Sequence, residues 1–75
     1  MEKEIEVNGR KFKIRELLAV ETDDFNWDDI KEVRKRQLTL ATGLSDEEYN
    51  NLTLKERMFI LRAYNELNGL TESFT

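Results

Sequence analysis

The chain has no cysteine, no histidine and no proline, and glycine stands only at positions 9, 43 and 69. Without cysteine no disulfide can staple the fold, and without cysteine or histidine the usual ligands of a structural zinc site are missing. The same absences remove the commonest nucleophile and base pairs of enzymes. There is also no glycine-rich phosphate loop. No apolar run approaches the roughly 20 residues of a membrane span. Met1 is followed by Glu2, Lys3 and Glu4 rather than by a signal peptide, so the expected location is cytoplasmic.

What is present is charge of both signs. Of 75 residues, 37% are charged with a net charge of −4, a balance that favours solubility and opposes nonspecific attraction to nucleic acid or anionic lipid. A single domain over 1–75 is expected, at a size where one hydrophobic core is barely sufficient. Stability must then come from well-formed helices or from association with a second copy or another protein.

The segment 53–69, TLKERMFILRAYNELNG, organises the rest. At about 100° per residue, Leu67, Ile60, Tyr64, Leu61, Leu54 and Met58 fill one broad arc, extended by Ala63 and Phe59. Only Lys55, Arg62 and Glu66 make a continuous polar strip. The pattern predicts a central helix over 54–68, buried on most sides. Thr53 and Glu56 have the spacing of a capping box. Gly69 can close the helix in a left-handed conformation, with Leu70 folding back onto the last turn.

Residues 3–15, KEIEVNGRKFKIR, read as a β-hairpin around Asn8-Gly9, the dipeptide that type I′ turns prefer. A two-residue loop sets Val7 opposite Arg10, Glu6 opposite Lys11, Ile5 opposite Phe12 and Glu4 opposite Lys13. Ile5, Val7, Phe12 and Ile14 then share the core face, and Glu4, Glu6, Lys11 and Lys13 are expected to form cross-strand ion pairs on the wet face.

Residues 16–25 are a connector in which Leu17, Leu18 and Val20 either end a strand or begin one helical turn. Asn26 and Asp29 imitate a capping box, so a helix is expected over 27–42, ending at Gly43. Its apolar face carries Trp27, Ile30, Val33, Leu38, Leu40 and Ala41. The opposite face carries Asp28, Lys31, Glu32, Lys35 and Arg36, with a favourable Glu32 to Arg36 spacing. Ser45 and Glu48 cap a short helix over 46–51, with Leu44 and Tyr49 placed as a hydrophobic staple. The architecture expected is α+β, mainly helical: a hairpin over 3–15 packed on helices 27–42, 46–51 and 54–68, with a frayed tail over 71–75. In that tail region Leu70 and Phe74 are apolar residues without an assigned place.

Asp24, Asn26 and Asp28 match the first ligand positions of a calcium loop. The glycine that should follow is Asp29, and the closing glutamate is Lys35, so no metal site is assigned. The carboxylates serve better as favourable charge at a helix N-terminus. Two basic groups, Arg10, Lys11, Lys13 and Arg15 on the hairpin and Lys31, Arg34, Lys35 and Arg36 on the long helix, raise nucleic acid as a partner. Glutamates stand beside both groups and the aromatic interleaving of a strand-binding surface is lacking. No catalytic, cofactor or metal residue is assigned, and binding to another protein is the remaining class. Leu70 and Phe74 either serve a partner or close the domain on itself.

The order of these signals resembles a known family. An opening VNGRKFKIRELL hairpin, a helix ending LATGLSDEEYNNL over 40–52 and a helix ending AYNELNGL resemble the small tail assembly chaperones of long-tailed phages and prophages. The resemblance runs from Val7 to Leu70. It implies a cytoplasmic, non-enzymatic protein that binds the tape measure protein during tail assembly, keeps it soluble and helps recruit tail tube subunits. Self-association into a homo-oligomer is compatible with it. No family binding motif transfers onto particular residues. The partner-binding candidates therefore come from the physical pattern: Phe59, bordering the polar strip of the central helix, with Leu70 and Phe74. The alternative is a small phage or host regulator that binds nucleic acid through the basic face of helix 27–42, with Lys31, Lys35 and Arg36 on phosphates.

Overall fold

The structure is a computed structural model and describes residues 1–69. Its first element is the expected hairpin, strands β1 (Glu2–Val7) and β2 (Arg10–Arg15). Asn8 and Gly9 both take positive φ, 52° and 86°, the pair of left-handed conformations that a type I′ turn demands. That turn sets the register from Val7 opposite Arg10 back to Glu2 opposite Arg15, with Ile5 opposite Phe12. Val7, Phe12 and Ile14 are buried and Ile5 packs against the core from a half-buried position.

The wet face corrects one expectation. Glu4 and Glu6 stand opposite Lys13 and Lys11, yet among the described residues neither pair closes into a salt bridge. The hairpin's charges reach other elements instead: Lys3 pairs with Glu66, Arg10 with Glu56 at 3.1 Å and Arg15 with Glu21 at 2.7 Å. Fully exposed pairs gain little in water and lose side-chain entropy, so a flat hairpin face leaves them open.

The connector makes one 3₁₀ turn, Ala19–Thr22. Glu21 holds it in place, accepting two hydrogen bonds from Arg15 at 3.0 and 2.7 Å and a third from the Leu18 amide at 2.8 Å. Beyond it Phe25 is buried, with the Arg36 guanidinium 4.5 Å above its ring.

Helix α1 (Ile30–Thr42) starts three residues later than its hydrophobic pattern implied. Asn26 spends its side-chain oxygen on the Asp28 amide, a local turn, and Asp29 caps the helix by accepting from the Glu32 amide at 3.2 Å. Trp27 therefore lies outside the helix and is exposed, as is Ile30 in the first turn, while Val33, Leu38 and Ala41 make the buried face. Arg36 turns to Asp24 at 3.8 Å rather than to Glu32. Gly43, at φ 77°, ends α1 by donating its amide to the Thr39 carbonyl at 2.8 Å.

The last two helices follow their caps. In α2 (Asp46–Asn50) Ser45 and Glu48 exchange hydrogen bonds at 3.1 and 2.9 Å, and in α3 (Leu54–Leu67) Thr53 and Glu56 do the same at 3.1 and 2.8 Å. Asn68 ties the end of α3 to the connector, accepting from the Leu17 amide at 3.0 Å and donating to the Tyr64 carbonyl at 2.8 Å. Gly69 takes the left-handed conformation at φ 72°. The fold-back expected of Leu70 and the fraying expected over 71–75 lie outside the described residues.

The centre of the core is made by Ile14, Leu38 and Ile60, one each from β2, α1 and α3, with Tyr49 and Leu52 closing it from α2 and the residues after it. Helix α3 packs on both strands and on α1, which makes it central, but it is not buried on most sides. Two strands and two other helices cannot enclose a third helix in a chain this short. Ile60, Ala63, Tyr64 and the carboxylate-bearing Glu56 face inward, and the rest of its apolar arc is left uncovered.

Candidate protein-binding surface

The uncovered part of α3 is the most distinctive surface of the domain. Leu54 is 76% exposed, Met58 57% and Phe59 41%, although all three belong to the helix that supplies the fully buried Ile60. Leu54, Met58 and the half-buried Leu61 fall on one line along the helix, because residues four and three apart are neighbours on a helical surface. Phe59 stands apart from that line, across Lys55 and Arg62.

Charged side chains frame the line on both sides. Among the described residues Lys55 reaches the neutral Asn8 side chain, at 3.5 Å, and the Arg62 guanidinium lies 5.7 Å from the centre of the Phe59 ring. On the opposite border Arg57 stacks over Tyr49 at 4.2 Å and donates to the Tyr49 carbonyl at 3.0 Å. Its Nε is buried and finds no hydrogen-bond partner among the described residues. Arg57 thus ties the border of the stripe to α2, while Lys55 and Arg62 leave the other border open.

The inward face of the same helix is anchored electrostatically. Glu56 is nearly fully buried, accepts from the Thr53 amide and from Arg10, and has its pKa lowered, first by the backbone hydrogen bond from Thr53 and then by the charge of Arg10, against an opposing desolvation. The Thr53 cap and the hairpin tip are thus joined through one carboxylate. With Glu56 held inward, Leu54 and Met58 on the other side of the helix are exposed.

Of the residues singled out from the sequence, Phe59 is exposed at the border of this surface. Leu70 and Phe74 lie outside the described residues. Leu54 and Met58 are the ones that pattern reading missed, since both belong to the arc assigned to the core. One local signal pointed the other way: Leu54 is the first residue after the cap, where a helix has no preceding turn to shelter it.

Elsewhere the surface offers less. Lys35 is drawn to Asp46 at 3.6 Å and Arg36 to Asp24 and Phe25, so the basic face of α1 is partly spent on the domain itself. Trp27 and Ile30 form a second exposed apolar area, next to the acidic residues Asp28 and Asp29. A cleft of about 200 Å³ between the end of β2 and the end of α1, lined by Lys13, Ile14, Arg15, Leu40, Thr42 and Gly43, is smaller than the roughly 300 Å³ at which small-molecule sites begin. Among the described residues no three acidic side chains converge as a metal site requires, and no helix is long and apolar enough to cross a membrane.

Fold and surface together define a small α+β domain, a two-stranded antiparallel hairpin on three helices, with an apolar helical stripe facing outward. Comparison of the chain with protein-family models, with curated proteins and with solved structures finds no match.

Proposed function

We propose that this chain is a non-enzymatic protein-binding chaperone of phage tail assembly, acting in the host cytoplasm and holding a helical part of the tape measure protein against the outer stripe of α3. The observation that carries this reading is the exposure of Leu54, Met58 and Phe59 on a helix otherwise committed to the core. Leu54 and Met58 share one exposed line with the half-buried Leu61, and Phe59 adds an apolar site across Lys55 and Arg62, a surface suited to the capture of an amphipathic helix. The resemblance through residues 40–52 and 67–69 supplies the biological setting. Those residues form the end of α1, the capped α2 and the close of α3, which position the stripe rather than line it. Tail tube protein and a second copy of the chain are further partners under this reading.

The test is capture from host lysate containing the phage or prophage tail proteins, comparing the natural chain with a Leu54→Asp, Phe59→Asp variant that circular dichroism shows to be folded. Retention of a long, helix-rich tail protein by the natural chain alone supports the proposal. Recovery of nucleic acid instead, lost steeply on adding salt, would replace it with a phosphate-binding role for the basic face of α1, because phosphate contacts weaken with salt and apolar capture does not.

A further inference from the structure

The border of the α3 stripe carries information about what covers it. Leu54, Met58, Leu61 and Asn65 advance by four, three and four residues, the spacing of the a and d positions of a coiled-coil seam, with Leu54 and Leu61 at d and Met58 and Asn65 at a. In that register Lys55 and Arg62 hold the two e positions and Arg57 and Tyr64 the two g positions. Tyr64 is buried in the domain and Arg57 is stacked on Tyr49, so the g side is closed by the protein itself. The e side is open, and it is wholly basic.

Neither e-position cation is neutralised by a salt bridge among the described residues. Lys55 approaches the Asn8 amide and Arg62 the Phe59 ring, while Glu66, one turn beyond Arg62, is bridged to Lys3. In a chain whose net charge is −4, a seam bordered by Lys55, Arg57 and Arg62 is a local reversal of sign. Charge of one sign beside an apolar seam selects a partner of the other sign.

The same border disfavours a second copy docked through this face. An antiparallel pairing sets e positions against e positions, Lys55 and Arg62 facing Lys55 and Arg62. A parallel pairing sets them against Arg57. Both arrangements bring like charges together beside a short apolar strip, of about 17 Å from Leu54 to Asn65 at the helical rise.

We propose that the seam takes a single amphipathic helix from another protein, with aliphatic side chains set against Leu54, Met58 and Leu61 and with aspartate or glutamate along the edge that meets Lys55 and Arg62. Asn65 gives the seam one polar position, which fixes the register of the incoming helix by requiring a polar partner there. This rests on the protein-binding reading above and adds to it the sign and layout of the partner.

The test uses two fluorescently labelled 21-residue helical peptides with leucine at every a and d position, one with glutamate and one with lysine at every e and g position. Like charges keep each peptide from pairing with itself. Anisotropy titrations with the full chain are expected to show about tenfold tighter binding of the glutamate peptide at low salt, the sum of two attractive against two repulsive contacts. A Lys55→Glu, Arg62→Glu variant is expected to reverse the preference, and a folded Leu54→Ser, Met58→Ser variant to weaken both peptides by tenfold or more. Equal binding of the two peptides, or a preference that survives the charge reversal, overturns the proposal. So does a concentration-dependent dimer in sedimentation equilibrium that the Leu54→Ser, Met58→Ser variant abolishes, since the seam then belongs to a second copy. Lysate capture of a tail protein that ignores the charge reversal sinks this inference but leaves the chaperone reading standing. Glutamate-peptide selectivity without any tail protein captured does the opposite.

Discussion

Replacing Ile60 by alanine and, separately, Met58 by alanine tests the orientation of α3 on which every statement about its outer stripe depends. The two residues are two positions apart on one helix, but Ile60 is 0% exposed and Met58 57%. Ile60→Ala removes about three methyl or methylene groups at ~0.8 kcal/mol each, about 2.4 kcal/mol, before the cavity is counted. The unfilled space adds on the order of 1 kcal/mol, for a total of about 3 to 4 kcal/mol. A 75-residue domain at ~0.05 to 0.15 kcal/mol per residue has only about 4 to 11 kcal/mol to lose. The midpoint temperature should therefore fall by about 20 °C. Met58→Ala gives up little buried area and gains slightly in helix propensity, so its effect should stay within about 0.5 kcal/mol. Leu54→Ala should behave like Met58→Ala. Urea denaturation followed at 222 nm reads all three, with unchanged m-values marking a change in stability alone. Comparable losses for Met58 and Ile60 would mean that the stripe is covered in the free protein, and the reasoning about a partner helix would fall with it.

Three further outcomes follow from other parts of the fold. Gly43→Ala should cost about 1 to 2 kcal/mol in thermal denaturation, because φ is 77° while an added Cβ would meet no heavy atom of the described residues within 4 Å; a much larger loss would contradict an open site for that Cβ. Acid should destabilise the domain between pH 4.5 and about 2, because the Arg15 hydrogen bonds, and then the Leu18 amide, lower the Glu21 pKa from 4.5 to about 2. A depressed carboxyl stabilises the fold above its unfolded value, and that contribution disappears as pH falls through its folded value. Glu48, Glu56 and Glu66 are shifted in the same direction. The midpoint of urea unfolding followed against pH should lose part of its acid slope in Glu21→Gln, and an unchanged slope would contradict the Arg15 pairing. Burial raises the Tyr64 pKa above 10.0, so the contribution of this phenol to stability is fully present below pH 10 and is lost as pH rises above it. Tyr64→Phe should flatten that alkaline decline, and a decline that persists unaltered would assign it to other groups.

The hairpin and helix ends were legible because each depends on a few adjacent residues. Asn8-Gly9 can satisfy the two positive φ angles of its turn in almost any context, and Ser45 with Glu48 or Thr53 with Glu56 completes its hydrogen bonds within four residues. The start of α1 was harder for the same reason: Asn26 and Asp29 are both competent caps three residues apart, and the choice between them removed Trp27 from the helix. The pattern identified α3 as the central helix and placed Phe59 beside its polar strip, but it could not separate the exposed Leu54 and Met58 from the buried Ile60. All three are simply apolar residues on a helix.

By itself, then, the sequence determined the turn, the caps of α2 and α3, the order of elements and the strand register, since these arise from backbone conformation and hydrogen bonds between near neighbours. Tertiary structure decided which apolar side chains are covered and which carboxylate each cation meets. Phe25 is buried beneath Arg36 while Trp27 is exposed, and Arg10 reaches Glu56 while Lys11, opposite Glu6, forms no salt bridge among the described residues. Burial is a property of the elements that arrive from elsewhere in the chain, and a domain with two strands and three helices has too few of them to cover every apolar face that its helices present.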